Sequence, residues 1–156
     1  MLDPDDDLDL EGQLDPAREP ITAPLGRRAA AAVLDGAFVA AGTTPPILLA
    51  AWALPGGADL TRALFPASLA LGALVAVAYG AVGHGLLGAT PGARLLGLAM
   101  TDRDGRTPGM GRAALRAALA ILGTLALGAG LWPAFFTTSR RTLHDRVAGT
   151  FVVRAP

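Results

Sequence analysis

The stretch Arg27-Arg28-Ala29-Ala30-Ala31-Ala32-Val33-Leu34-Asp35-Gly36-Ala37-Phe38 opens an apolar run that lasts to Leu54. From Ala29 to Leu54 the run holds 26 residues and a single charge, Asp35. A bilayer crossing needs about 20 apolar residues at about 1.5 Å each, so this run is long enough to span. A carboxylate inside such a span costs roughly 2.5–3.5 kcal/mol on insertion scales and is kept only where another group answers it. The chain therefore reads as a small, all-α, multi-pass helical membrane protein whose chemistry centres on a few intramembrane or juxtamembrane charges.

A second span is expected at about 63–87, after a turn at Pro55-Gly56-Gly57-Ala58-Asp59. Pro45-Pro46 should kink the first helix, with Thr43 or Thr44 satisfying the freed carbonyls. In the second, Ser68, Gly72, Ala76, Gly80, His84 and Gly88 recur every four residues, a small-residue face suited to close helix packing in lipid. A third apolar segment, 113–136, opens amphipathically: Arg112 and Arg116 share one face, Leu115, Leu119 and Leu122 the other. Two short segments have strand character, Leu95–Met100 before the turn Asp102-Arg103-Asp104-Gly105, and Thr150–Val153 near the end.

The net charge of zero conceals a division. Residues 1–19 carry eight acidic groups against Arg18, while residues 20–156 carry twelve Arg against five Asp. Residues 1–24, acidic and interrupted by Pro4, Pro16, Pro20 and Pro24, read as a disordered tail, leaving 25–156 as the membrane domain. The acidic start also excludes a secretory signal, which needs a basic region before its apolar core. There is no Cys, so disulfides, thiol catalysis and Cys-ligated metals are excluded.

Basic residues collect on the cytoplasmic side. Arg18, Arg27 and Arg28 before the first span, and the four Arg of the 89–112 loop, are expected to place both segments on the cytoplasmic side of the cell membrane (plasma or inner). If 113–136 simply crossed, Arg140, Arg141, Arg146 and Arg154 would face out. A re-entrant hairpin bending near Gly128-Ala129-Gly130 would keep them inside and let the two strand segments pair as a cytoplasmic β-ribbon. That ribbon would hold Asp145 within reach of Arg28.

Arg28 and Asp35 lie two helical turns apart with a rise of about 10 Å, too far to pair tightly. Asp35 must therefore look elsewhere, to Arg140, Arg141 or His144 if the tail folds back, or to His84. Neither His has a second ligand at metal spacing, so no metal and no cofactor is expected. Phosphate-loop, His-Glu-x-x-His and Gly-x-Ser-x-Gly signatures are missing, which argues against an enzyme. Basic residues flanking spans, with little aromatic interleaving, give no support to nucleic-acid binding.

Three motifs in order resemble the RDD family of membrane proteins, named for one Arg and two Asp. They are Arg27-Arg28-Ala29-Ala30-Ala31-Ala32-Val33-Leu34-Asp35, Thr90-Pro91-Gly92-Ala93-Arg94-Leu95-Leu96-Gly97, where Ala93 stands in place of the usual Lys, and Thr142-Leu143-His144-Asp145-Arg146-Val147-Ala148-Gly149-Thr150. The resemblance implies Arg28, Asp35 and Asp145 as a functional triad, with Arg27, His84, Arg94, Arg140, Arg141 and His144 as supporting candidates. It implies transport of ions or small solutes, with Asp35 as the intramembrane acid. Two or three spans enclose little space, so a homo-oligomer or a partner membrane subunit within the lipid bilayer is expected. The alternative is a scaffold or accessory subunit that recruits cytoplasmic partners through its acidic tail and Arg-rich loops.

Overall fold

The computed structural model describes residues 22–126, 128–137 and 140–155. Its elements are α1 (Leu25–Ala53), α2 (Gly57–Gly85), α3 (Pro91–Leu95), β1 (Leu98–Thr101), α4 (Gly109–Leu125), a 3-10 turn (Ala129–Leu131), α5 (Trp132–Phe136), α6 (Leu143–Ala148) and β2 (Phe151–Arg154). The structure is mostly helical, with two long apolar helices and a two-stranded antiparallel sheet. The acidic tail expected at 1–24 lies outside the described residues except at its end. There Ala23 is buried and donates its N–H to the Val152 carbonyl at 2.7 Å.

Helices α1 and α2 have 29 residues each and are long and apolar enough to cross a membrane. Their large side chains point outward: Trp52 is 85% exposed and Leu74 65%. A soluble core helix would hide such groups; a bilayer covers them. Both helices start earlier than the apolar runs, at Leu25 and Gly57, and α2 ends at Gly85. The cause is that helical backbone continues into polar ends. Arg27 and Arg28 join the first turn of α1, and Asp59 lies favourably in the first turn of α2.

Helix α1 runs on through Pro45-Pro46, and α2 through Pro66. The Thr43 hydroxyl donates to the Val39 carbonyl at 2.9 Å, not to the carbonyls of Ala41 and Gly42 that the prolines free. The four-residue stripe on α2 also behaves differently from expectation. Of the stripe, Gly80 abuts Ala117 on α4, while the other close contacts near this end of α2 come from glycines off the stripe, Gly83 against Thr90 and Gly85 against Met110. Further out, a Cβ at Gly72 would meet nothing within 4 Å, and Ser68, Gly72 and Ala76 line a cavity.

The third apolar segment turns back. Helix α4 runs antiparallel to α2 and stops at Leu125; Gly128 then takes a left-handed conformation, and the 3-10 turn places Gly130 against Gly123. Helix α6 packs on α4 as well. The C-terminal residues thus return to the end of the molecule where α1 begins, in the hairpin arrangement.

There β1 and β2 pair with Leu98 opposite Arg154 and Met100 opposite Val152. Strand β1 is shorter than the apolar stretch suggests, because Leu95 ends α3. Thr90 caps that helix through Ala93 N–H, and Pro91 fits its first turn. The ribbon's outward groups fasten the long helices: Met100 N–H donates to Gly88 at the end of α2, and the Val152 carbonyl receives Ala23 before α1. Ala23, Ala31, Ala93, Leu98, Met100 and Val152 form the core beneath.

Because these outward bonds occupy Met100 N–H and the Val152 carbonyl, the Met100–Val152 pair is a non-hydrogen-bonded one, the closer kind in an antiparallel ladder. Cys at 100 and 152 should therefore oxidise readily to an intramolecular disulfide in membranes, seen as a gel shift reversed by reductant. Cys at 98 and 152, which are diagonal, should not; the opposite order would refute the register.

Candidate functional site

The chain Thr142-Leu143-His144-Asp145 forms a capping box at the start of α6. Thr142 Oγ1 accepts from Asp145 N–H, and Thr142 N–H donates to Asp145 Oδ2 at 3.2 Å. The Asp145 side chain is thereby fixed, fully buried, and presented to two cations. Arg28 Nη2, from the first turn of α1, donates to Oδ2, and Arg116 Nε, from α4, donates to Oδ1 at 2.7 Å. Arg28 Nη1 also donates to the Arg140 carbonyl at 2.9 Å. Arg141 lies 4.0 Å over the Phe151 ring and donates to the Asp145 carbonyl at 3.2 Å. Burial works to raise the Asp145 carboxyl, but Arg116 and Arg28 outweigh it and hold the group well below the usual carboxylate range.

Asp35 sits apart and meets only neutral donors. Oδ1 accepts from the Tyr79 hydroxyl at 2.7 Å and from Gly92 N–H at 2.8 Å; Oδ2 accepts from the Thr90 hydroxyl at 2.6 Å. One carboxylate thus joins α1, α2 and the start of α3. The Gly92 approach requires glycine: a Cβ there would lie 2.7 Å from both the Ala31 carbonyl oxygen and Asp35 Oδ1. Asp35, Tyr79, His84, Thr90, Arg28 and Arg116 all line one groove-like cavity of about 730 Å³. It continues outward between α1 and α2 past Thr43, Thr61 and Ser68.

The RDD family pattern matches residues 22–149, from the residue before Ala23 to the C-cap of α6. The chain belongs to the RDD family. Neither a curated protein nor a solved structure matches it.

In this RDD domain the three residues implied as a triad occupy two places, not one. Arg28 and Asp145 touch, whereas Asp35 binds Tyr79, Thr90 and Gly92. The expectation that Asp35 would be answered by Arg140, Arg141, His144 or His84 is corrected: hydroxyls and a helix-start N–H answer it instead. Of the supporting candidates, Arg140 contributes its carbonyl and Arg141 braces Asp145 from behind. His144 Nε2 is 3.9 Å from Asp145 Oδ1. His84 lines the cavity, its Nδ1 without a hydrogen-bond partner among the described residues. Arg27 is exposed, and Arg94 donates to the Leu87 carbonyl at 3.1 Å, away from both carboxylates.

Sequence reasoning missed Arg116 and Tyr79. An Arg within the 113–136 run carried the same signal as Asp35, a charge that must be answered. The pairing with Arg112 on one helix face hid it. Tyr79, the chain's one Tyr, placed a hydroxyl in an otherwise apolar span.

Asp145→Asn leaves two largely buried guanidiniums facing a neutral amide, and should lower unfolding stability in detergent by about 3–5 kcal/mol. A loss below about 1 kcal/mol would mean that water, not Asp145, balances them. Acid should act in two stages. His144 is pushed down to about 4, by burial first and by Arg116 second, from an ordinary value of 6.5. Between those values the unfolded chain binds a proton that the folded chain does not, so stability falls as pH drops through that window. The depressed Asp145 adds its loss only below its ordinary value of 3.8. Melting curves of His144→Gln should show a smaller first stage and an unchanged second.

Proposed function

We propose that this RDD protein moves ions or small solutes across the cell membrane, acting as a transport component and not as an enzyme, with Asp35 as the intramembrane acid. The observation that carries this reading is a carboxylate on the wall of a cavity of about 730 Å³, held by two hydroxyls that can rotate. The Tyr79 and Thr90 hydroxyls donate to Asp35 at rest, and each can turn to accept when a proton or cation reaches the carboxylate. The site can then change occupant without moving a helix. Arg28 and Arg116 at the same end of the cavity favour anions near the mouth, while Asp35 beyond them favours cations.

The Arg-rich end, with the ribbon and α6, faces the cytoplasm in this reading, following the distribution of Arg. The outer half of α1 is exposed along its length, so a second copy or a partner membrane subunit completes the pathway.

The test is flux in proteoliposomes. Asp35→Asn retains an acceptor for Gly92 N–H and Tyr79, so the variant should insert and fold, yet lose pH- or cation-dependent flux by at least about tenfold. Equal flux in variant and wild type would leave Asp35 as a cross-link among α1, α2 and α3, and would favour the accessory-subunit reading.

A further inference from the structure

We infer that the ribbon end carries a binding pocket for a phosphate-bearing anion, separate from the Asp35 cavity and independent of the transport reading. A second cavity, of about 520 Å³, lies where the loop after β1, the first turn of α4 and the α6–β2 connection meet. Arg103, Arg112, Arg141 and Arg146 line it, against Asp102 and Asp104. Four guanidiniums around one hollow repel each other unless anions answer them.

The internal anions answer them only in part. Asp102 is committed to its own turn, where Oδ1 accepts from Asp104 N–H at 3.0 Å and Arg106 N–H at 2.9 Å; its Oδ2 is 3.9 Å from Arg112. Asp104 is exposed and forms no ion pair among the described residues. Arg103 and Arg146 are exposed and likewise without an ion pair among the described residues. Arg141, by contrast, is buried and fixed by the Phe151 ring and the Asp145 carbonyl. The pocket therefore has one rigid cation at its base and two available ones at its rim.

The chemistry selects the ligand class. Planar guanidinium forks match the oxygens of phosphate and bind them in pairs, which apolar or cationic solutes cannot reproduce. The hollow exceeds what inorganic phosphate alone needs and has room for a phosphate ester. Exposed Val147 at the wall and Leu143 one turn earlier on α6 place apolar surface beside the charges. That combination suits the headgroup of an anionic phospholipid, and the same cations would take a soluble phosphate.

The experiment uses the full chain, delipidated in neutral detergent. One arm adds inorganic phosphate and follows the melting temperature. The other adds phosphatidylglycerol or phosphatidylcholine and counts retained lipid by native mass spectrometry. Wild type should respond in at least one arm, with phosphatidylglycerol preferred over phosphatidylcholine if the source is lipid. The R103Q/R146Q variant removes only exposed, unpaired cations, and it should bind at least about tenfold more weakly. A response confined to the phosphate arm assigns a soluble ligand, and one confined to the lipid arm assigns a headgroup. No response of wild type in either arm, or equal binding by the double variant, overturns the pocket.

Discussion

The fold depends on one carboxylate. Asp145 is fully buried, and its two oxygens receive guanidiniums from α1 and α4 while its backbone opens α6. Three segments far apart in sequence are therefore fixed at a single point. An isolated buried charge is costly enough that the chain must supply its partners or not fold this way. Replacing the whole cluster with apolar residues could match it in stability, but an apolar cluster would not dictate which helix meets which. Where the core is made largely of alanine, which packs with little shape discrimination, such a directional contact has more to decide.

The two carboxylates near the α1 entry illustrate how partners set a role. The Asp145 carboxylate faces two guanidiniums and the Thr142 backbone N–H in a closed site, so its charge is balanced and static. Asp35 faces a phenol, a threonine and a backbone N–H beside a cavity. Neutral donors orient a carboxylate without cancelling its charge, so its field still reaches whatever enters the cavity. Arg28, two turns away on α1, is held by Asp145 and takes no part in binding Asp35.

What was legible in the sequence followed from long-range constraints that leave local marks. The Arg distribution and the glycines at 128 and 130 foretold a chain that turns back, and the valines near the end foretold a strand. Two short strands could be stable only together. The contact of Arg28 with Asp145 followed from those pieces. The partners of Asp35 did not, because hydroxyls carry no charge signature, and Tyr79 looks like any other aromatic in a span. Helix α3 was hidden for a different reason. Leu95-Leu96-Gly97-Leu98 has strand composition, but Thr90 and Pro91 start a helix whose last residue is Leu95, and capping decided the local structure. Arg116 was visible as a charge on one helix face, but nothing local named Asp145 as its partner.

The hydroxyls along the largely apolar groove are satisfied within their own helices. Thr43 donates to Val39, Thr61 to Gly57 and Ser68 to Phe65, each within its own helix. Their strongest demand for a partner is met internally, so the outer half of the groove tolerates lipid chains without a penalty for unmet donors. Nearer the ribbon the lining changes to His84, Arg116 and Asp35, where His84 Nδ1 has no partner among the described residues and where guanidinium N–H groups outnumber their acceptors. The cavity is therefore graded from hydrocarbon-tolerant to polar along α1 and α2, and Asp35 stands at its polar end.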